Sequence, residues 1–402
     1  MRILIADKLA PAVAPRLGAL GQVIVDTSAK DAVLTARIRE LDPEVLIVRS
    51  TKVTAADMEA GRNLALVIRA GAGVNTIDLS AASRRGIYVA NCPGKNAIAV
   101  AELAIGHMIN LDRRIADNVA TLREHRWDKK NFGVARGLFG RKLAILGVGQ
   151  IGCEVIRRAK AMGMQITAWS RSLSPAAAEN LGVTWAGSPE AAVHEADVVS
   201  VHLALATATR GLVGEKIFSA MKTGAFFINT ARAEVVDEPA LLRAIEAKKL
   251  RVGLDVFAKE PSAAQGTFED PILDQPSVYG THHIGASTDQ AEEAVGEGVI
   301  EIVEAYVAGS AIPNCVNLAT RTPATHRLVI RHADRVGVLA GILDVLREAS
   351  INVEDMQNIV FSGGEAACAR IAIVGELSAD TLAKLAESAH IYAVSQVRSG
   401  TA

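Results

Sequence analysis

Arg232 ends the stretch "NTAR", Glu260 lies in "DVFAKEP", and His282 and His283 stand side by side in "THHIG". Each stretch follows a short apolar run, so three polar groups fall at three strand ends. A histidine beside a carboxylate can take a proton at neutral pH, because the carboxylate stabilises imidazolium and orients the ring. An arginine nearby can hold a carboxylate by two parallel hydrogen bonds and polarise an adjacent carbonyl. Neighbours on an extended segment point to opposite faces, so only one of the two histidines can look into a shared cleft.

The elements that must position these groups can be read from the alternation of short β-branched runs and helical patterns. "RILIA", "QVIVD", "EVLIVRS", "ALVIRAG" and "IYVANC" are strand candidates with helical stretches between them, the pattern of a doubly wound parallel sheet. One long helix is expected from about Ala97 to Glu124. Then "LAIL" runs into Gly147, Gly149 and Gly152, and a helix leads to a second strand, "ITAW". Strand, glycines, helix and strand in this order suit a dinucleotide whose pyrophosphate sits on the helix N-terminus. Gly147 would make the turn, Gly149 would admit the pyrophosphate and Gly152 would allow close helix packing. Beside a nicotinamide, the arginine, glutamate and histidine would oxidise a 2-hydroxy acid, with hydride passing to the ring and the proton to His.

Composition narrows the partners. Lys plus Arg (43) nearly cancel Asp plus Glu (44) over 402 residues, and basic runs are short, which argues against nucleic acid or an anionic membrane and for a small molecule. The start, "MRILIADKLA", reads as a strand and not as a signal peptide, and no apolar run reaches membrane-spanning length, so a cytoplasmic protein is expected. Cys92, Cys153, Cys315 and Cys368 are scattered without metal-ligand spacing, so no metal site is expected and the thiols are read as reduced.

The string around Gly147, with "NTARAEVVDEPAL", "GLDVFAKEP" and "HIGAST", resembles the D-isomer-specific 2-hydroxyacid dehydrogenases. "VRSTKVT" and "IRAGAGVNTIDL" look like their D-3-phosphoglycerate branch. The resemblance implies that His283, not His282, is the catalytic histidine, with Glu260 as its partner and Arg232 on the substrate. It implies cofactor contacts from Gly147, Gly149, Gln150, Ile151, Gly152, Ser170, Arg171, His202, Ala231, Asp255 and Gly285. Substrate contacts would come from Arg49, Ser50, Gly71, Ala72, Gly73, Asn96 and Arg232, with Lys52 and Lys95 nearby. The end of the second strand, where NAD enzymes of this fold carry an acidic residue, holds Ser170 and Arg171, so NADP is favoured over NAD. Two departures affect the pocket: Ala233 stands where a glycine usually follows the arginine, and Ala204 where a proline is usual.

The implied architecture is two Rossmann-like parallel-sheet domains. Residues 1–97 and 287–316 would bind substrate and 98–286 the dinucleotide. After a linker at 317–325, residues 326–402 show strand, helix, strand, strand, helix, strand, the ferredoxin-like order, and resemble an ACT regulatory domain. His332, Asp334 and Asn352 occupy its effector positions, with L-serine or another amino acid as effector. Asp334 replaces an asparagine and, ionised, cannot donate a hydrogen bond. Self-association as a homodimer or homotetramer is expected. The expected function is NAD(P)-dependent oxidation of 3-phospho-D-glycerate in serine biosynthesis. A glyoxylate or hydroxypyruvate reductase is the alternative on the same scaffold, and a non-catalytic dinucleotide sensor the alternative of another class.

Overall fold

The computed structural model describes residues 1–261, 265–319 and 321–399. Residue 320 of the expected linker and residues 400–402 of the expected C-terminal module lie outside the described residues. The chain divides into two compact units, Met1–Asn317 and Leu318–Ala402.

The first unit holds two parallel sheets. Strands β1 (Arg2–Ile5), β2 (Gln22–Val25), β3 (Val45–Val48), β4 (Leu66–Arg69) and β5 (Tyr88–Asn91) form one, in the order β2-β1-β3-β4-β5. The other contains β6 (Lys142–Leu146), β7 (Gln165–Trp169), β8 (Thr184–Trp185), β9 (Val198–Val201), β10 (Phe226–Asn229), β11 (Arg251–Leu254) and β12 (Val278–Gly280), ordered β12-β11-β10-β9-β6-β7-β8. Central strands such as "VLIV" in β3 and "FFIN" in β10 are buried along their whole length, because helices cover both faces of a parallel sheet. Each order reverses once, beside β1 and beside β6. Polar side chains can gather at the C-terminal ends of strands at such points without meeting a crossover helix.

The helix Asp289–Val307 sends Val299, Ile300, Ile302 and Val303 into the same core as Ile3, Ile5, Val45 and Ile68 of the first sheet. Another helix, Ala97–Arg113, packs Ala104, Met108 and Leu111 against Leu143, Ile145 and Ile228 of the second. The long helix expected to Glu124 is broken. Arg114 adopts a left-handed conformation (φ 52°), and a separate helix, Ile115–Arg123, follows. Two asparagines stabilise the break: Asn110 Oδ1 accepts from Ala116 N at 2.9 Å, and Asn118 Nδ2 donates to Arg114 O at 2.9 Å. Helical periodicity cannot show such a break, since both asparagines also fit an exposed helix face.

In the second unit, β13 (His326–Ala333), β14 (Val353–Val360), β15 (Ala366–Ile373) and β16 (Ile391–Arg398) make an antiparallel sheet ordered β14-β15-β13-β16. Helices Val338–Glu348 and Ala379–Ala386 contribute Ile342, Leu346 and Leu385 to the core over it, giving the ferredoxin-like arrangement of an ACT-like module. Among the described residues, no helix is long and apolar enough to cross a membrane.

Candidate active site

A cleft of about 810 Å³ is lined by the C-terminal ends of strands from both parallel sheets. On its lower wall the turn after β10 carries Arg232. Asn229, 1 % exposed, locks that turn: its Oδ1 accepts from Ala231 N at 3.0 Å and its Nδ2 donates to Arg232 O at 3.0 Å. Ala233, the departure after the arginine, enters a short 3-10 turn, Ala233–Val235, and is not among the residues with positive φ. The lost glycine therefore costs no backbone strain here.

His283 Nδ1 lies 2.7 Å from Glu260 Oε2, and Glu260 Oε1 accepts from Phe257 N at 2.8 Å. The bond to Glu260 raises the pKa of His283 above its ordinary value, against the opposing effects of burial and of the Arg232 charge. Burial pushes the Glu260 carboxyl up, but the bonds from His283 and Phe257 outweigh it and hold it below the usual range. With Nδ1 committed to the carboxylate, Nε2 is the ring atom left to exchange a proton.

Alternation along a strand does not separate the two histidines. β12 ends at Gly280, and His283 sits in the left-handed region with φ 52°. His282 is exposed outside the cleft lining, whereas His283 lines it. The turn is held by Asp255, 1 % exposed, whose Oδ1 accepts from Thr281 Oγ1 at 2.6 Å and Ile284 N at 2.9 Å, and whose Oδ2 accepts from Gly285 N at 2.8 Å. Left-handed backbone at a side-chain-bearing residue costs on the order of 1–2 kcal/mol, and three bonds to one buried carboxylate offset that.

On the opposite wall Asp7, after β1, gathers the loop after β3. Its carboxylate accepts from Arg49 N (2.7 Å), Ser50 N (3.0 Å) and Thr51 N (3.0 Å). Burial pushes the Asp7 carboxyl up, but these amides hold it below its ordinary value. Arg49 points its guanidinium at Glu292, Nη1 to Oε1 at 2.7 Å. Arg69 Nε donates to Arg49 O at 2.9 Å, and burial together with the nearby Arg232 and Arg49 pushes the Arg69 pKa down. The parts played by Arg69, Asp7, Asn229 and Glu292 rest on contacts distant in sequence or on buried bonds that their residue types do not mark.

Arg49, Gly71, Ala72, Gly73, Asn96, Gly149, Gln150, Ile151, His202, Ala231, Arg232, Asp255, His283 and Gly285 all line the cleft; Glu260 borders it through His283. Ser50, Lys52, Lys95, Ser170 and Arg171 do not line it. Ser50, Lys52 and Arg171 are exposed, Lys95 pairs with Glu301 at 3.4 Å, and Ser170 follows the end of β7. In the second unit His332 is buried with ring nitrogens 2.8 Å from Ala333 O and 3.1 Å from Asn358 Oδ1, while Asp334 and Asn352 are exposed.

The residues fit a dinucleotide. Gly147 has φ 104°, and a Cβ there would lie 2.5 Å from His202 O, so the first turn is closed to side chains. A Cβ on Gly152 would lie 2.2 Å from Gly147 O, whereas one on Gly149 meets nothing within 4 Å and faces the cleft. Among the described residues, His202 Nδ1, Thr230 Oγ1 and Asn96 Oδ1 are buried without a partner and belong to residues lining the cleft, as donors and acceptors awaiting a polar ligand would be. Burial lowers the His202 pKa to about 4, so its ring is neutral and is no competitor to His283 for the proton.

A family model described as D-isomer specific 2-hydroxyacid dehydrogenase, NAD binding domain, matches residues 105–285. A D-3-phosphoglycerate dehydrogenase of Methanocaldococcus jannaschii is 36% identical over 321 residues, covering 79% of this chain and 60% of that protein. One from Mycobacterium bovis is 36% identical over 359 residues, covering 88% and 66%. The chain belongs to the D-isomer-specific 2-hydroxyacid dehydrogenase family. It spans 60% and 66% of the length of these two relatives. Among solved structures, an NADPH-dependent glyoxylate/hydroxypyruvate reductase from Sinorhizobium meliloti is 28% identical with a TM-score of 0.69, covering 78% of this chain and 97% of that one.

The glycine geometry separates folding from binding. Gly152→Ala should destabilise the chain by about 1–3 kcal/mol, the range for forcing atoms into a packed site, read from urea denaturation. Gly149→Ala should leave the denaturation midpoint in place and weaken NAD(H) binding in a fluorescence titration. Equal effects of the two on stability would contradict the assignment of open and closed positions.

Proposed function

We propose that this chain oxidises a D-2-hydroxy acid with a nicotinamide dinucleotide, and that 3-phospho-D-glycerate is its substrate. The observation that carries the reading is the 2.7 Å contact of His283 with Glu260, in a cleft shared with Arg232. The bound nicotinamide supplies the acceptor for the two electrons and hydrogen leaving C2. Arg232 and the amides of Gly71–Gly73 bind the substrate carboxylate; Gly73 lacks a Cβ, which would lie 3.0 Å from Arg232 Nη2. His283 Nε2 takes the proton of the C2 hydroxyl, Glu260 stabilises the imidazolium that results, and Asp255 keeps the turn in place. In the reverse direction the same imidazolium returns the proton.

Three guanidinium groups, Arg49, Arg69 and Arg232, line this cleft and suit a substrate with both a carboxylate and a phosphate. One observation favours the second reading, a glyoxylate or hydroxypyruvate reductase: Glu292 already neutralises Arg49. On the leading reading Glu292→Gln lowers KM for 3-phosphoglycerate and leaves KM for glycerate unchanged, because a carboxylate beside the phosphate is removed. If the unmodified enzyme turns over glycerate better than 3-phosphoglycerate and the variant does not reverse this, the second reading replaces the first.

For the proton, His283→Ala should lose about a hundredfold to ten-thousandfold in kcat, the range for a general acid–base group, while His282→Ala keeps most activity. Oxidation requires neutral His283, so its rate rises as pH passes up through the raised pKa. Glu260→Gln removes the group that raises it, and the oxidation limb should move to lower pH. A limb that stays in place would show that another group sets it.

The cofactor preference we propose is NADP(H). Ser170 follows the end of β7 and Arg171 is exposed in the turn after it, where a guanidinium and hydroxyls suit a 2′-phosphate. Ser170→Asp combined with Arg171→Ala should reverse the order of kcat/KM for the two cofactors; a tenfold preference of the unmodified enzyme for NAD would refute this. We further propose the division into a substrate domain (1–97, 287–316) and a dinucleotide domain (98–286), with the ACT-like unit as a self-associating, amino-acid-responsive module.

A further inference from the structure

A second cavity, of about 320 Å³, lies at the opposite edge of the dinucleotide sheet. Gly147, His202, Thr230 and Asp255 follow the C-terminal ends of β6, β9, β10 and β11, whereas this cavity is lined from the start of the same strands, by Arg141, Asp197, Phe226 and Arg251. One strand length, roughly 15 Å, separates the two edges.

The charges of the side chains that line it do not balance, although Glu195 lies beside Lys222 and Tyr279, bonded to Asp117, lies beside Arg251. Four cations, Arg136, Arg141, Lys222 and Arg251, face two carboxylates, Asp112 and Asp197. Both carboxylates are already engaged. Asp112 accepts from Arg141 Nη2 at 2.7 Å and from Gly137 N at 3.0 Å. Asp197 accepts from Lys142 N at 3.0 Å, Lys222 Nζ at 3.1 Å and Arg136 Nη1 at 3.4 Å. Among the described residues, Arg141, with a side chain 9 % exposed, keeps a buried Nε without a partner, and Arg251 keeps a buried Nη2 without one. The two guanidiniums are held against the Phe226 ring, at 4.6 and 5.2 Å from its centroid, so neither can swing out to water without losing that contact. Burial and the neighbouring Arg136 and Arg251 charges push the Arg141 pKa down, although Asp112 opposes them. Buried cationic N–H groups without an acceptor are costly, and a water would satisfy the hydrogen bond but not the charge.

We propose that this cavity is a binding site for a small doubly charged oxyanion of the phosphate class, held by Arg141 and Arg251 with Lys222 and Arg136 at the mouth. A dianion would cancel the excess of two positive charges among the lining side chains and accept from both orphaned nitrogens. The site is separate from the cleft and does not depend on which hydroxy acid is oxidised.

Inorganic phosphate is the probe, and amide hydrogen exchange of the full chain is measured in phosphate and in chloride at matched ionic strength. Phosphate should slow exchange within residues 134–142, 222–226 and 249–252, by about tenfold at a concentration ten times its dissociation constant if these amides exchange through an opening that releases the anion. Arg251→Gln should abolish that protection with its denaturation midpoint in chloride kept near the parent's. Arg49→Ala, in the cleft, should retain it, which separates this site from phosphate bound beside the substrate. Lys222→Gln, which leaves the buried guanidiniums in place, should weaken the protection without abolishing it. Protection confined to the cleft loops, protection unchanged in Arg251→Gln, or protection that follows protein concentration and not phosphate would each overturn the proposal; the last would mean that a second copy fills the cavity.

Discussion

The carboxylate of Asp255 is the constraint on which the candidate site depends. It is buried after β11, and it binds a hydroxyl and two amides of the turn 281–285. A charged group at that depth is tolerable only because its lone pairs are filled by oriented donors. The same bonds force His283 into a left-handed backbone conformation and so direct its ring at Glu260. His107, buried in the helix Ala97–Arg113, completes the network from behind, with Nε2 3.2 Å from Thr281 Oγ1. Removing any one donor would leave a buried lone pair and loosen a turn that has no strand partner of its own.

The same logic repeats at the other switch point. Asp7 does for the loop 49–51 what Asp255 does for the loop 281–285, collecting backbone amides at the end of a parallel strand. Two buried acids thus fix two loops, one presenting a histidine and the other an arginine, on opposite walls of one cleft. Rigid strands supply the positions, and the charged side chains in the cleft are left to the ligand. Electrostatically the cleft is uneven: Arg69 and Arg232 stand close together, and burial and the Arg232 charge lower the pKa of Arg69, while Arg49 is paired with Glu292. An anionic ligand relieves the first pair and competes with the second.

Much of this was legible in the sequence because it is local. The glycines at 147, 149 and 152 are separated by fixed backbone geometry, and the apolar runs ending in "NTAR", "DVFAKEP" and "THHIG" mark strand ends whose register a parallel sheet determines. The ferredoxin-like order of the second unit is likewise a matter of sequence periodicity. What escaped was non-local or conformational. Arg49 and Glu292 are 243 positions apart and meet only because the helix Asp289–Val307 returns to the first sheet. The left-handed Arg114 carries no compositional mark, and although histidine is enriched at positive φ, that cannot single out His283 beside an identical His282. For His283 the premise of an extended segment did not hold, and it is the bonds to Asp255, not alternation, that distinguish it from His282. Buried polar residues such as Asn229 look like ordinary strand-end residues until their partners are known.

Asp255 sets the protonation of His283 by holding the turn against Glu260, and titration of the His283 imidazole by nuclear magnetic resonance in the parent chain and in Asp255→Asn tests this directly. His283 should titrate above an ordinary histidine in the parent. In the variant, with the chain still folded, the titration should fall back toward the ordinary value as the Asp255 charge is removed, the turn loosens and the Glu260 contact is lost. An ordinary value in the parent, or a raised value unchanged in the variant, would contradict it.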